Sequence, residues 1–248
     1  MKIVVCVSHV PDSAAKINIG ADEKNIDKNG VSFILNPYDE FALEEALKIK
    51  DSIGADVVLV SVGGDEVKET IRKGLAMGAD SGILLKTNAY RDSISTAKLI
   101  AEEIKLQGAN LVFLGKQSID GDNGVVGQLV AEILGFNSVS VAVSFNLNGD
   151  KIVAEREIEG GREVVETSLP AVITAQKGLN DPRYASLKGI MAAKKKVIDE
   201  KEVTVSEIGV ELIKLKKPAQ KQAGKILGKD SSAVPELVRL LKEEAKVI

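Results

Sequence analysis

Apolar residues follow two rhythms along the first half of the chain. Ile3–Val7, Val57–Val62, Ile83–Leu85 and Leu111–Leu114 are short, nearly unbroken runs rich in β-branched residues. Such runs predict strands covered on both faces. Between them the apolar positions recur at helical spacing. Ala42, Leu43, Ala46, Leu47 and Ile53 make one stripe, with Glu44, Glu45 and Lys48 expected outside it. Val67, Ile71 and Leu75 make a second; Ile94, Ala97, Ala101 and Ile104 a third; Val126, Leu129, Val130 and Ile133 a fourth. Strands alternating with helices predict an α/β fold, a mainly parallel twisted sheet flanked by helices.

From about Ser138 the rhythm changes. Val139–Leu147, the turn pair Asn148-Gly149 and Ile152–Ile158 read as a hairpin, and Gly160-Gly161 turns the chain into Glu163–Ser168. Antiparallel additions to the sheet are expected here, followed by the apolar run Leu169–Thr174. A helix with a basic end is expected over Ala185–Lys196. Lys214–Lys229 is lysine-rich, holds Pro218 and two glycines, and reads as an extended arm. Pro235 then opens an amphipathic helix with Leu237, Val238, Leu241 and Ala245 on one face. The organisation expected is an α/β body over 1–213 and an arm with a helix over 214–248. From pattern alone the arm either docks on another chain or folds back.

Composition narrows the function classes. A formal net charge of −3 and the absence of Trp leave no basic, aromatic-studded surface for nucleic acid. The single cysteine, Cys6, excludes an internal disulfide and points to a reducing compartment. Cys6 and the lone His9 do not suffice for the usual four-ligand zinc site. No apolar stretch reaches the roughly 18 residues needed to span a bilayer. The opening Met1–Val7 is too short for a signal peptide and reads as a strand. The expectation is a soluble, bacterial-type cytoplasmic chain without direct membrane insertion.

In a parallel sheet, ligands bind beyond the carboxyl ends of the strands. Three loops there carry candidate chemistry. Ser8-His9-Val10-Pro11-Asp12-Ser13 follows the first strand; with no serine or cysteine nucleophile beside it, His9 reads as a hydrogen-bonding or solvent-facing residue rather than a general base. Asn36-Pro37-Tyr38-Asp39-Glu40 has the chemistry of a helix start, with Asn36 at the N-cap and Pro37 at the first helical position. It is either a cap alone or one wall of a pocket. Gly115 to Gln128 is the most informative: four glycines join a buried strand to an amphipathic helix, so the backbone can turn close to a ligand. The free N–H groups at the start of that helix favour phosphate. No Gly-Lys-Ser/Thr closes the loop, so it is not a Walker A motif. Asp92-Ser93-Ile94-Ser95-Thr96 opens another helix, its hydroxyls serving as caps or as further phosphate ligands.

Six segments together resemble the β subunit of the electron transfer flavoproteins, along nearly the whole chain. They are V-x-H-V-P-D from Val7, N-P-Y-D-E-F-A-L-E-E-A-L from Asn36, E-T-I-R-K-G-L-A-M-G-A-D from Glu69, G-K-Q-S-I-D-G-D from Gly115, R-E-I-E-G-G over Arg156–Gly161, and G-L-N-D-P-R-Y-A-S-L-K-G-I-M over Gly178–Met191. The order and spacing of all six carry the resemblance.

The resemblance implies a Rossmann-like adenine-nucleotide-binding fold and a heterodimer, in which an α subunit holds most of an FAD and this chain binds AMP. It implies that Cys6, Asn36, Pro37, Tyr38, Asp39, Val62 and the loop Gly115, Lys116, Gln117, Ser118, Ile119, Asp120, Gly121, Asp122, Asn123, Gly124, Val125 and Val126 surround the nucleotide. It implies an electron carrier rather than an enzyme, taking electrons from flavin dehydrogenases of the acyl-CoA type to a quinone-linked acceptor. Docking of those dehydrogenases falls on Lys177–Tyr184, with Leu179 as a protruding anchor beside Asn180, Pro182, Arg183 and Tyr184. The C-terminal arm resembles the segment that embraces the α subunit. Gly124 and Val126, where related chains often carry Asn and Thr, together with Ser93 and Thr96, resemble electron-bifurcating relatives that bind a second FAD in this subunit. A stand-alone adenine-nucleotide-binding module is the remaining alternative.

Overall fold

The computed structural model describes residues 1–206, 208–220 and 223–248; Glu207 of the expected body and Lys221 and Gln222 of the expected arm lie outside the described residues. The elements run β1 (Lys2–Cys6), β2 (His9–Pro11), β3 (Asn18–Ile19), β4 (Ile26–Asp27), β5 (Phe33–Leu35), α1 (Pro37–Ile53), β6 (Asp56–Gly63), α2 (Val67–Met77), β7 (Ser81–Lys86), α3 (Ser93–Gln107) and β8 (Leu111–Gly115). They continue with α4 (Val126–Leu134), β9 (Asn137–Asn148), β10 (Lys151–Ile158), β11 (Gly161–Ser168), β12 (Ala171–Ala175), α5 (Leu187–Ala193), β13 (Ile198–Glu202) and α6 (Val234–Glu243).

Among the described residues, nine strands form one sheet in the order β11-β10-β9-β12-β8-β1-β6-β7-β13. The pairs from β9 through β12, β8, β1, β6 and β7 to β13 are parallel, and only β9-β10 and β10-β11 are antiparallel. This is the expected α/β fold with antiparallel additions at one edge. The chain steps from β1 to β6 to β7 on one side, then returns through α3 to β8 on the other side of β1. The direction of winding therefore reverses between β1 and β8, where such sheets open a crevice at their carboxyl ends.

The central strands are buried on both faces. Ile3, Val5, Leu59 and Phe113 pack with Leu43, Leu47, Ile71 and Leu75 from α1 and α2 on one face. Val4, Cys6, Val60 and Val112 pack with Ala97, Ile104 and Val130 from α3 and α4 on the other. Each large aliphatic side chain so buried contributes on the order of 1.5–3 kcal/mol. Two stripe positions depart from expectation: Ile53 is 61% exposed and Ile94 40%. Both are at helix ends. The 17 residues of α1 span about 25 Å at 1.5 Å each, whereas the five residues of β1 cover only about 17 Å. The helix outruns the strand it packs on.

Glu44 and Glu45, expected on the outside, are buried. They flank the packing stripe and are covered by the loop after β12, as described below. The expected helix over Ala185–Lys196 is the shorter α5, and Ile198–Glu202 adds a strand at the sheet edge. The hairpin loop is Gly149-Asp150, one residue later than expected. Residues 208–220 carry neither helix nor strand. Part of this stretch lies against the β3–β4 hairpin: Leu215 N donates to the Glu23 carbonyl at 2.7 Å, and Lys217 Nζ to Asn18 Oδ1 at 2.9 Å. The amphipathic helix α6 has no buried residue, with Leu237 and Val238 about half exposed.

Candidate functional site

The site expected at the strand ends is built from the N-terminus of α1 outward. Asn36 occupies the N-cap position, but its side chain makes no capping hydrogen bond. Instead, fully buried, it reaches across to the loop after β8: Nδ2 donates to the Gln117 carbonyl at 2.9 Å, and Oδ1 accepts from Ile119 N at 3.2 Å. One turn on, the buried Asp39 carboxylate accepts from Ser8 N at 2.7 Å with one oxygen and from Gly115 N at 2.8 Å with the other. Ser8 follows β1 and Gly115 ends β8, so one carboxylate ties together the two strands at which the winding reverses. Burial pushes Asp39 up to about 7, against the pull of Asn36 and of the Ser8 and Gly115 N–H groups.

Gly115 has no room for a side chain. A Cβ there would sit 2.5 Å from Asp39 Oδ1 and 2.6 Å from Tyr38 Cβ. Lys116, next in the chain, places its ammonium 5.0 Å from the centre of the Tyr38 ring. The loop then turns through Asp122 N to the Ser118 carbonyl at 2.9 Å, with Asp122 and Gly124 at positive φ. Asn123 Nδ2 meets Ser93 Oγ at 3.2 Å, so the start of α3 closes one side of the loop. At α4 the N-cap residue Val125 gives no side-chain cap. The helix start is left with backbone N–H groups and a partial positive charge, suited to an anion.

Cys6 ends β1 and is buried; burial, helped by the Asp39 charge, pushes its thiol far up and leaves it inert. Val62, near the end of β6, offers its carbonyl to Arg91 Nη2 at 2.8 Å. The structure thus brings Asn36, Tyr38, Asp39, Cys6, Val62 and the 115–126 loop to one end of the sheet. Asp39 faces inward as a tie between strands, with both oxygens occupied.

His9 lies in β2 and stacks on Phe33, ring centres 4.6 Å apart, while Nδ1 shares a 2.8 Å hydrogen bond with Thr70 Oγ1. Burial lowers its pKa. This is the hydrogen-bonding histidine expected. Asp92 and Ser95 form a reciprocal capping box on α3, and the Asp92 carboxylate also accepts from Gly209 and Val210 N–H. Arg91 and Glu44 were not singled out from sequence. The only signal for Arg91 was an arginine immediately before a helix-opening motif.

The loop after β12 corrects one expectation. Leu179 does not protrude: it is 9% exposed and joins the core cluster that contains Ala42, Leu43 and Ala46. Gly178 at φ 98° and the bond from Leu179 N to the Gln176 carbonyl turn it inward. Asn180 Nδ2 donates to the Phe41 carbonyl at 3.0 Å and to Glu45 Oε2 at 2.9 Å. Arg183 binds Glu44 through Nε at 2.8 Å and Nη2 at 2.9 Å, and reaches Asp51 at 2.9 Å. These carboxylates raise the Arg183 pKa. The side chains that stand out are Tyr184 at 96% exposure, Leu187 at 83% and Met191 at 70%.

Among the described residues no group of His, Cys, Asp and Glu is arranged to hold a metal, and no helix is long and apolar enough to cross a membrane. The profile of the electron transfer flavoprotein domain matches residues 24–206. The chain is 40% identical over 257 residues to the mitochondrial electron transfer flavoprotein subunit beta of Arabidopsis thaliana, covering all of both chains. It is 40% identical over 255 residues to the electron transfer flavoprotein subunit beta of Bradyrhizobium diazoefficiens, again end to end. To that of Mus musculus it is 37% identical over 258 residues, covering all of this chain and 99% of the relative. A site of backbone donors at a sheet's switch point, in a chain matched end to end by these relatives, places the protein: it belongs to the electron transfer flavoprotein family, among the β subunits.

Proposed function

We propose that this chain binds AMP at the mouth formed by β1, β6, β8 and the 115–126 loop, and works as half of a heterodimer whose larger α subunit holds the electron-carrying FAD. Membership of the family makes it an electron carrier subunit rather than a catalyst. The observation that carries the nucleotide reading is the loop from Gly115 to the uncapped start of α4, held open over the switch point by Asn36 and Asp39. Backbone N–H groups there suit a phosphate, and Gly115 keeps the wall thin. The flavin supplies the redox chemistry when bound; the residues of this chain bind the nucleotide, fix the sheet end and shape the surface that faces the partner.

Electrons pass, on this reading, from flavin dehydrogenases of the acyl-CoA type to a quinone-linked acceptor. The donor docks on the segment that Arg183 and Asn180 hold in place. Its apolar anchors are Tyr184, Leu187 and Met191, since Leu179 is committed to the core. Residues 1–213 form the nucleotide-binding body, and the arm from 214 with the unburied α6 embraces the α subunit.

A second reading, with a second FAD in this subunit in place of AMP, is favoured by the contact between Ser93 and Asn123, which adds a hydroxyl to the loop's rim. Co-purification with the α subunit, acid release and counting of nucleotides separates the two. One FAD and one AMP per heterodimer is expected. Two FAD and no AMP selects the second reading, and no adenine nucleotide beyond one FAD removes the site assignment.

A further inference from the structure

Arg91 stands out when the arginines are compared. Arg183 and Arg239 are each bound by two carboxylates, Arg156 and Arg162 by one, and Arg72 by two backbone carbonyls. Among the described residues Arg91, partly buried, has a single bond, from Nη2 to the Val62 carbonyl at 2.8 Å. Among the described residues no carboxylate lies within ion-pair distance of it. Its neighbour Asp92 is already committed to Ser95, Gly209 and Val210 N–H groups, which hold its pKa down to about 2.

A guanidinium carries five N–H donors, and sheltering it without an anion is costly. Burial lowers the Arg91 pKa, with Asp120 and Glu66 acting the other way from a distance. None of its nitrogens is both sealed from solvent and partnerless. Its unused donors therefore face open space. Nη2 itself lies at the end of β6, where a side chain built on Gly63 would come within 3.7 Å of it. Two residues on, Ser93 touches Asn123 of the 115–126 loop. Lys116, another cation at this end of the sheet, is drawn over the Tyr38 ring instead.

We propose that Arg91 is the residue that recognises the charge of the nucleotide's phosphate, reaching across the end of β6 to an anion held by the 115–126 loop. The inference rests on the nucleotide reading above and adds a side-chain cation to a site otherwise made of backbone donors. A charge-assisted bond of this kind is worth about 10- to 100-fold in affinity. The fork geometry suits phosphate oxygens better than an ammonium does.

The test uses the full-length chain, expressed with the α subunit and stripped of nucleotide, titrated calorimetrically with AMP and with adenosine. In the unaltered protein AMP binds more tightly than adenosine. Arg91→Met is expected to weaken AMP about 10- to 100-fold and leave adenosine within about twofold, with Arg91→Lys recovering part of the loss. The salt dependence of AMP binding falls in Arg91→Met. Equal losses for AMP and adenosine would make Arg91 a structural prop and overturn the proposal, as would no loss for AMP. If the unaltered protein binds neither AMP nor adenosine, the nucleotide reading itself fails, and that result is read before any variant.

Discussion

One helix holds two loops by different chemistry. At its N-terminus α1 fastens the 115–126 loop through Asn36 and Asp39, which reach backbone groups of the loop and of the strand ends. Two to four turns further on it fastens the 177–186 segment through Glu44, Glu45 and Asp51, which bond to Asn180 and to the cationic Arg183. The Asp39 carboxylate is neutralised by no cation, so burial raises its pKa; the Glu44 carboxylate is answered directly by a guanidinium. The first fastening is sensitive to the protonation of Asp39. The second is an ion pair with one end buried, dependent on its partner. The same helix thus fixes both the proposed nucleotide end and the proposed docking face, and the two are predicted to be separable by mutation.

The sharpest break is Arg183→Ala, which leaves Glu44 buried without a counter-charge. It is expected to destabilise the chain by about 3 kcal/mol, read from the denaturant midpoint, while AMP affinity stays unchanged. A loss of AMP binding in this variant would mean the two fastenings are one unit. Gly115→Ala pushes a methyl into Asp39 and Tyr38 and is expected to cost about 2 kcal/mol. Here AMP binding falls, and the rate of electron acceptance from a dehydrogenase, measured with nucleotide saturating, does not.

The pH contrast comes next. The folded pKa of Asp39, about 7, lies above its ordinary 3.8. The folded chain therefore holds more protons than the unfolded one between these values, and stability from this group is full below 3.8 and lost as pH rises through 7. Linkage makes the loss about 1 kcal/mol between pH 6 and pH 8. Asp39→Asn is expected to flatten that slope in urea titrations at the two pH values. The smallest effect on stability is Tyr184→Ala, within about 0.5 kcal/mol for so exposed a side chain. A melting temperature unchanged alongside a slower dehydrogenase reaction would support the docking face; an unchanged rate would remove Tyr184 from it.

Much of this arrangement was legible in sequence. Ile3–Val7 and Leu111–Leu114 announce buried parallel strands because no polar residue interrupts them, and β9 and β10 announce a hairpin through alternation and a glycine turn. The strand β13 was not legible, because Asp199, Glu200, Lys201 and Glu202 have none of the apolar character that marks a strand; only pairing with β7 makes it one. Glu44 and Glu45 read as solvent-facing because their partners, Arg183 and Asn180, are some 135 residues away in sequence. Leu179 was assigned a protruding role by resemblance alone, and the turn at Gly178 that buries it has no signature beyond one glycine. The loop of the candidate site was visible in its glycines, but the use of Asn36 as a bridge to Gln117 and Ile119, rather than as a cap, depends on a juxtaposition that only the folded sheet creates.

The polar strand β13 has a consequence for behaviour in a crowded solution. Among the described residues it is the last strand on its side of the sheet, so one row of its backbone groups faces no further strand. An open row of that kind is a template on which a stray extended segment can zip itself. Asp199, Glu200, Lys201 and Glu202 line it with charges, and Lys68 and Lys86 tether two of the acids. At the opposite margin Arg162 and Glu155, and Arg156 and Glu163, pair across β10 and β11. A sheet of this width is fenced at both margins by ions that an incoming strand would have to dehydrate, which disfavours edge addition.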